Sequence, residues 1–362
     1  MILKSRNRAC PISTGDLPQL QLNLFTSKMN IYQSLKYFNK IKSSSLKLLG
    51  IYLLHIFGKR YLGIFIDPVL SCNLRCKMCY FSDEEKRKTL KGKLDDAEIE
   101  KIAQALFHRA LKIQIGCGAE PTCSKSIPLL ISLAKSYKVP YISLTTNGIL
   151  LTEENIREYL SGGLNEITLS MHGIKKETYE YFMTNSNYDT FYQVLKYLSD
   201  AKNNFPDFKI RINYTMNKDN FLELNEFFDL FDTIKMDVLQ LRPIQKMGNT
   251  VYDNFSHEQL EKMYDTTIRS IKEKCAERNI ICIAPSKTDI SASSENTNSV
   301  IVDSAYCYIS PNTCWESDFN YNTDTYESYA KATKLSRKLL NNVFSRKKNA
   351  EINKRNLNYD IS

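Results

Sequence analysis

The segment at residues 71–80, Ser-Cys-Asn-Leu-Arg-Cys-Lys-Met-Cys-Tyr, sets Cys72, Cys76 and Cys79 in a Cys-x3-Cys-x2-Cys row. Thiolates packed this closely repel one another and oxidise readily, so a chain that keeps them together usually neutralises them with a soft metal ion or a cluster. The row predicts a metal centre, with an iron-sulfur cluster as the favoured occupant. A structural zinc ion or a simple electron-transfer cluster is the alternative, and either needs a fourth ligand. The side chains available for that position are His55, Cys117 and Cys123.

A strand-like segment leads directly into this row. Residues 62–70 are apolar or β-branched except for Gly63, Asp67 and Pro68, which is the pattern of a strand that is buried at least in part. Parallel α/β folds gather ligands at the carboxyl ends of their strands. The position of the row therefore suits a binding site.

Helix-like and strand-like segments alternate beyond residue 93. The strand-like runs are residues 111–115, 141–144, 166–169, 209–214 and 238–241. Together with the first strand they make six β/α units. Such alternation predicts an α/β fold with a parallel sheet and crossover helices.

Composition and cysteine usage indicate a globular protein of a reducing compartment. The chain has 362 residues, 43% hydrophobic and 25% charged, which is enough to bury a substantial core. Its ten cysteines do not resemble a small secreted disulfide framework. Residues 1–24 lack the apolar core of a signal peptide, and the apolar run at 48–57 is too short to span a membrane. We therefore expect a cytoplasmic protein.

The formal net charge of +9 concentrates near the chain ends. Residues 331–355 contain nine Lys or Arg against Glu351, and residues 32–60 have the pattern of a basic amphipathic helix. Two hypotheses stay open for these segments: helices that pack on the main domain, or helices that lie on an anionic membrane. The charge would suit nucleic acid as well, but no recognition module is present.

The cysteine row resembles the signature of the radical S-adenosylmethionine (radical SAM) superfamily, Cys-x3-Cys-x-aromatic-Cys, with Met78 in place of the aromatic residue. The resemblance covers roughly residues 62–243. It implies a partial (β/α)6 TIM-like barrel as the core, with an N-terminal helical extension and a C-terminal extension. We place the N-terminal extension at 1–60, the core at 61–284 and the C-terminal extension with its basic tail at 285–362.

The same resemblance implies the chemistry. Cys72, Cys76 and Cys79 would hold a 4Fe-4S cluster whose open iron position binds the amino and carboxylate groups of S-adenosylmethionine. A flavodoxin- or ferredoxin-like donor would reduce the cluster, which cleaves S-adenosylmethionine to a 5'-deoxyadenosyl radical that abstracts hydrogen from a substrate. The chain would then be an oxidoreductase. Its substrate stays open among peptides, lipid or glycan precursors and small molecules.

Motifs after the later strands support this interpretation. Residues 116–122, Gly-Cys-Gly-Ala-Glu-Pro-Thr, resemble the family's Gly-Gly-Glu-Pro motif. Gly118 and Ala119 would let backbone carbonyls approach the methionine amino group, and Glu120 would accept from that group or brace the loop. The resemblance implies that further contacts with S-adenosylmethionine come from Met78, Thr146, Asn147, Ser170 and Arg211. Among these, Arg211 would bind the methionine carboxylate of the cofactor.

Two alternatives stay open from the sequence. His172, after the fourth strand, is either an acid/base residue or a hydrogen-bonding loop residue. Four further cysteines either hold an auxiliary cluster or are buried in core elements: Cys275, Cys282, Cys307 and Cys314. For the whole chain, the alternative function is an iron-sulfur or zinc protein on the same scaffold without radical catalysis.

Overall fold

The computed structural model describes residues 41, 43–245, 249–254, 256, 258–285, 290, 300–345 and 359–361. Most of the predicted N-terminal extension, the polar stretch at 286–289 and 291–299, and the basic tail at 346–358 lie outside the described residues. From Ile41 onward the chain forms one compact unit. No described helix is both long and apolar enough to cross a bilayer.

The strands alternate with helices along the chain. The strands are β1 Leu62–Ile66, β2 Ala110–Ile115, β3 Tyr141–Thr146, β4 Glu166–Met171, β5 Lys209–Met216, β6 Val238–Pro243, β7 Ile281–Pro285, β8 Tyr306–Ser310, β9 Thr313–Cys314 and β10 Tyr359–Ile361. The helices are α1 Ser44–Ile56, α2 Glu84–Thr89, α3 Asp96–Leu106, α4 Ile127–Ser136, α5 Glu153–Ser161, α6 Lys176–Phe182, α7 Tyr188–Ala201, α8 Phe227–Leu230, α9 Glu258–Glu277, α10 Val300–Ala305, α11 Tyr326–Ala332 and α12 Leu335–Phe344.

The described strands form one sheet in the order β10-β7-β6-β5-β4-β3-β2-β1-β8-β9. The pairs from β1 to β6 are parallel and follow chain order, which confirms the predicted six-unit partial barrel. The sheet stays open and is longer than expected, because β7 pairs beside β6 and β8 beside β1. The strands β9 and β10 are antiparallel.

The two faces of the sheet differ in polarity. Along β5 every second residue is buried beneath the helices, and Ile210, Ile212 and Tyr214 are at most 1% exposed. Successive strand side chains point to opposite faces, so Arg211 and Asn213 face the interior of the open barrel. A polar inner face is possible here because the open barrel encloses a cavity there, unlike the packed core of a closed barrel.

Helix α1 meets the segment of α11 and α12 beside β1. His55 in α1 contacts the hydroxyl of Tyr326 through Nδ1 at 2.6 Å and that of Ser336 through Nε2 at 2.8 Å. Tyr61 contacts the same Tyr326 hydroxyl at 2.6 Å, and Trp315 stacks on the Tyr326 ring. His55 is therefore engaged in packing α1 against the C-terminal helices.

Candidate active site

The cysteine row forms a loop between β1 and a 3-10 turn at Tyr80–Ser82. The Cys79 amide donates to the Cys76 carbonyl at 2.9 Å, and the Arg75 guanidinium donates to the Cys72 carbonyl at 2.7 Å. The amides of Arg75 and Lys77 donate to the carbonyls of Thr184 and Phe182, both at 2.9 Å. The loop is thus fixed both internally and to the C-terminal end of α6 and the residues that follow it.

The three thiols of this loop are partly buried and unpaired. All nine cysteines that the structure describes are free. Burial raises the pKa of Cys72 to about 12 and raises the pKa values of Cys76 and Cys79 as well. Ionisation of these buried thiols to thiolates costs free energy, and a bound cationic centre would offset that cost. No group of three His, Cys, Asp or Glu within the described residues is arranged to hold a single metal ion.

The loop after β2 is held by Asp67, a buried carboxylate at the end of β1. Its Oδ1 accepts from the amides of Cys117 at 2.7 Å and Ala119 at 3.4 Å, and its Oδ2 accepts from the Gly118 amide at 2.9 Å. The Tyr308 hydroxyl donates to Oδ2 at 2.8 Å. Sequence reasoning missed this role, and its signal was a carboxylate directly after a buried strand.

Two glycines of this loop have no room for a side chain. A Cβ at Gly116, where φ is +86°, would lie 2.2 Å from the Thr145 carbonyl oxygen. A Cβ at Gly118 would lie 2.7 Å from the Tyr80 hydroxyl, which itself donates to the Gly118 carbonyl. The glycines therefore allow the β2 loop to approach β3 and the cysteine loop.

Glu120 is buried and braces the neighbouring loops. Its Oε1 accepts from the hydroxyls of Thr122 and Thr146, both at 2.6 Å, and from the Thr122 amide at 3.1 Å. Its Oε2 accepts from the Asn147 amide at 2.7 Å. The Asn147 side chain then donates to Asn73 Oδ1 at 2.8 Å, in the cysteine loop. Of the two roles proposed for Glu120, the contacts support the brace.

These loops enclose a cavity of about 220 Å³ at the carboxyl ends of the strands. The predicted site residues that line it are Cys72, Cys76, Met78, Cys79, Gly118, Ala119, Glu120, Thr146, Asn147 and Ser170. Further lining residues come from the ends of β2, β4, β5 and β6: Cys117, His172, Thr215, Arg242, Ile244 and Gln245. Residues distant in sequence thus converge at one edge of the sheet.

Arg211 is the predicted site residue that the structure does not bring to the cavity. It lies lower in the barrel, where its Nε is 3.2 Å from Glu166 Oε1 and its guanidinium donates to Gln240 at 2.9 Å. Arg211 sits near the start of β5, four residues before Thr215, the residue of that strand that lines the cavity. The contacts thus give Arg211 a structural ion pair and leave its predicted contact with the methionine carboxylate unsupported.

Met78, which departs from the family signature, packs as an apolar wall of the cavity. It is 4% exposed and clusters with Phe182, Ile244 and Tyr252. The Asn217 amide lies 3.2 Å from its sulfur. The polarisable thioether fills a site between the cysteine loop and the end of β6.

His172 lines the same cavity from β4. Burial, together with the charge of Arg242, lowers the pKa of His172 to about 4, so its imidazole is neutral at pH 7. Its Nδ1 has no hydrogen-bond partner among the described residues. A neutral ring with a free nitrogen can bind a donor or an acceptor, depending on its tautomer.

The comparisons with known proteins agree with this geometry. The sequence model of the Radical SAM superfamily matches residues 66–231. The chain is 24% identical over 192 residues to a probable GTP 3',8-cyclase of Saccharolobus islandicus, covering 53% of this chain and 60% of the cyclase. It is 29% identical over 196 residues to a probable GTP 3',8-cyclase of Metallosphaera sedula, covering 53% and 59%. Streptococcus suis SuiB bound to S-adenosylmethionine matches with a TM-score of 0.57 and 17% identity, over 81% of this chain and 66% of SuiB.

The chain spans 60% and 59% of the lengths of these two cyclases, and the likeness to SuiB concerns the fold. The region that the family model matches contains the cysteine row, the Gly118 loop and Ser170. Those segments also line the cavity. Residues 66–231 of this chain are therefore similar in sequence to the radical SAM superfamily.

Proposed function

We propose that this chain is a radical SAM enzyme in which Cys72, Cys76 and Cys79 hold a 4Fe-4S cluster and the adjoining cavity binds S-adenosylmethionine. One observation carries the proposal: the three thiols line the same cavity as the loops that follow β2, β3 and β4. A metal that only stabilised the fold would need four ligands and no cavity beside it.

The residues present fit this pair of groups. Thiolates are the usual ligands of iron-sulfur clusters, and the three in the loop leave one coordination position to another ligand. Cys117, a candidate fourth ligand, instead has its Sγ 3.8 Å from the Tyr306 hydroxyl. The bare backbone at Gly118, which a Cβ would obstruct, allows close approach of a polar ligand.

When bound, the cluster and S-adenosylmethionine supply reductive cleavage of the sulfonium and hydrogen abstraction from the substrate. The chain's own residues provide placement. Asp67 fixes three amides of the β2 loop, and Glu120 ties that loop to β3. Met78 and Ile244 supply an apolar wall that limits water in the cavity.

The direct test is anaerobic reconstitution with iron and sulfide, followed by reduction in the presence of S-adenosylmethionine. We expect 5'-deoxyadenosine and methionine, measured by chromatography and mass spectrometry. An intact cluster that yields no 5'-deoxyadenosine would support the alternative, an iron-sulfur protein without radical catalysis. Purification with stoichiometric zinc and no capacity to assemble a cluster would support the zinc alternative.

The match to the cyclases covers 53% of this chain, so their substrate is not assigned to it. Peptides, lipid or glycan precursors and small molecules stay as candidates. Incorporation of deuterium from labelled candidate substrates into 5'-deoxyadenosine identifies the substrate, since the abstracted hydrogen is retained there.

We also propose that the protein contacts an anionic membrane through α1 and α12, which pack on each other. Large apolar side chains stay exposed on these helices or directly after them: Ile56 is 46%, Phe57 67% and Phe344 75% exposed. Exposed Lys59, Arg337 and Lys338 add positive charge. Apolar side chains beside cations suit the interface of an anionic bilayer.

Sedimentation with vesicles of anionic or neutral phospholipid tests this contact. We expect binding to anionic vesicles that weakens at high salt and that falls when Phe57 and Phe344 are both changed to Ser. Absence of binding to anionic vesicles at low salt would remove the membrane proposal.

A further inference from the structure

Arg242 is a cation in the cavity that no described residue neutralises. It lies near the end of β6, lines the cavity and is exposed. Across the described part of the chain its guanidinium has no hydrogen-bond or ion-pair partner. This contrasts with Arg211, which lies on β5 four residues before Thr215, the residue opposite Arg242, and is paired with Glu166.

The acidic groups near the cavity are already occupied. Glu120 is the one carboxylate among the described lining residues, and both of its oxygens accept hydrogen bonds from neighbouring loops. Asp67 is saturated by the β2 loop and Tyr308. Neither acid is available to Arg242.

Lys112 adds a second cation inside the barrel. Its Nζ donates to Gln114 Oε1 at 3.2 Å and lies 6.0 Å from the ring centre of Phe65 and 5.9 Å from that of Tyr141. It forms no ion pair with a carboxylate of the described residues. Burial and the nearby Arg211 lower the pKa of Lys112 to about 7, which an anion placed beside it would raise again.

Cys117 connects the two cations. Burial raises the pKa of the Cys117 thiol, while the charges of Arg242 and Lys112 act in the opposite direction. Both cations are therefore within electrostatic range of Cys117, at the end of β2. The charge of Arg242 also acts on His172, at the end of β4. Arg242 lines the cavity between these strand ends, whereas Lys112 lies within β2, five residues before Cys117.

We propose that Arg242, supported by Lys112, binds an anionic group of the substrate, a carboxylate or a phosphate, beside Cys117 and His172. The inference rests on the proposed function, because it assigns the part of the cavity near β6 to the substrate. A guanidinium binds carboxylate and phosphate through paired hydrogen bonds, and a charged group held inside the barrel would orient the substrate toward the cysteine loop.

Alkylation of Cys117 reports on this site. The holoprotein, with its cluster reconstituted, is treated with iodoacetamide with and without inorganic pyrophosphate at matched ionic strength, and labelling of each cysteine is measured by peptide mass spectrometry. Pyrophosphate at ten times its dissociation constant should slow Cys117 labelling roughly tenfold. Cys123, exposed and outside the cavity, is the internal control and should label at an unchanged rate.

Variants at both cations decide the assignment. Protection should be lost in Arg242→Gln, be partly retained in Arg242→Lys and weaken in Lys112→Met, with thermal unfolding confirming that each variant is folded. Equal protection in wild type and Arg242→Gln, or none in wild type, would overturn the site. Slowing of Cys123 as strongly as Cys117 would mean a general salt effect and would also overturn it.

A separate titration identifies the source of the anion. If Arg242→Gln weakens binding of S-adenosylmethionine about tenfold or more, corresponding to about 1.4 kcal/mol, the anion is the methionine carboxylate and the substrate assignment is wrong. Formation of 5'-deoxyadenosine by the wild type is measured on the same preparation. Failure there rejects the proposed function, whereas absence of Cys117 protection in a wild type that does form 5'-deoxyadenosine rejects the anion site alone.

Discussion

Two groups of cysteines in this chain have opposite environments. Cys72, Cys76 and Cys79 lie on a loop at the carboxyl edge of the sheet and line the cavity. The second group is Cys275, Cys282, Cys307 and Cys314. Of these, Cys275 and Cys282 interact within α9 and β7, near one end of the sheet, and the other two lie on β8 and β9, at the opposite end.

This difference shows that position in the fold matters more than cysteine number. Spacing of three or four residues on a loop lets several thiols face one ligand, whereas regular elements direct each thiol into local packing. Three of the second group are fully buried. The two pairs lie near opposite ends of the strand order, and the described residues contain no group of three His, Cys, Asp or Glu that could hold a metal ion.

Removal of one loop thiol should have the largest effect. Cys76→Ala should abolish both the cluster and the formation of 5'-deoxyadenosine, a loss greater than the roughly 10–100-fold that follows removal of a hydrogen-bond partner of a ligand. Iron content, the visible absorption spectrum and product yield measure it. Cys123→Ala, which removes an exposed thiol outside the cavity, should retain all three. If Cys76→Ala keeps the cluster or still cleaves S-adenosylmethionine, the distinction between the loop cysteines and the second group is wrong.

The loop that faces the cysteines should tolerate little change in its backbone. Gly116→Ala should destabilise the protein by roughly 3 kcal/mol or more, because its Cβ would overlap the Thr145 carbonyl and its φ is positive. The matched control is Gly50→Ala in α1, where a Cβ meets no atom within 4 Å. That change should stabilise by about 0.5–1 kcal/mol. Denaturant unfolding measures both, and a stable Gly116→Ala protein would contradict the steric argument.

Asp67 offers a milder test of the same loop. Asp67→Asn should cost about 2–3 kcal/mol, because an amide group would face the N–H donors of the β2 loop, and binding of S-adenosylmethionine should weaken. Tyr308→Phe removes a single donor to Asp67 and should cost about 1 kcal/mol. Calorimetric unfolding and ligand titration compare the two. If both variants unfold and bind S-adenosylmethionine as the wild type does, Asp67 does not position the β2 loop.

The second group of cysteines should give the smallest effects. Cys282→Ala should lower stability by roughly 1 kcal/mol through lost packing and leave the iron content per chain unchanged. Cys307→Ala should behave in the same way, since both thiols are 0% exposed. Iron analysis of the reconstituted proteins checks this. Loss of iron from either variant would revive the auxiliary cluster.

Much of the fold could be predicted because it depends on local pattern. The apolar runs that predict β2 to β6 begin within one residue of the observed strands, and strand ends of a parallel sheet necessarily meet at one edge. The predicted C-terminal ends of the strands were less accurate than their starts. The first strand stops at Ile66, because the Asp67 carboxylate is used by the next loop and Pro68 ends the pairing.

The site could be predicted where motifs lie at strand ends, and less well within the strands. Arg211 was selected for its charge and strand, but its distance from the end of β5 decides that it pairs with Glu166. Arg242 was not among the predicted site residues, since its free guanidinium depends on which acids are already occupied. The contact between Asp67 and Tyr308 joins residues 241 positions apart, and no local pattern encodes it.

That contact also has a consequence for biosynthesis. The β2 loop is held by Asp67, Asp67 accepts from Tyr308, and β8 must pair with β1 to bring Tyr308 there. A nascent chain therefore presents all three loop cysteines to solvent long before it contains the strand that completes the β2 loop. Insertion of a cluster that needs the finished cavity would have to follow synthesis of β8, so a ribosome-bound chain ending before residue 306 should accept iron and sulfide poorly.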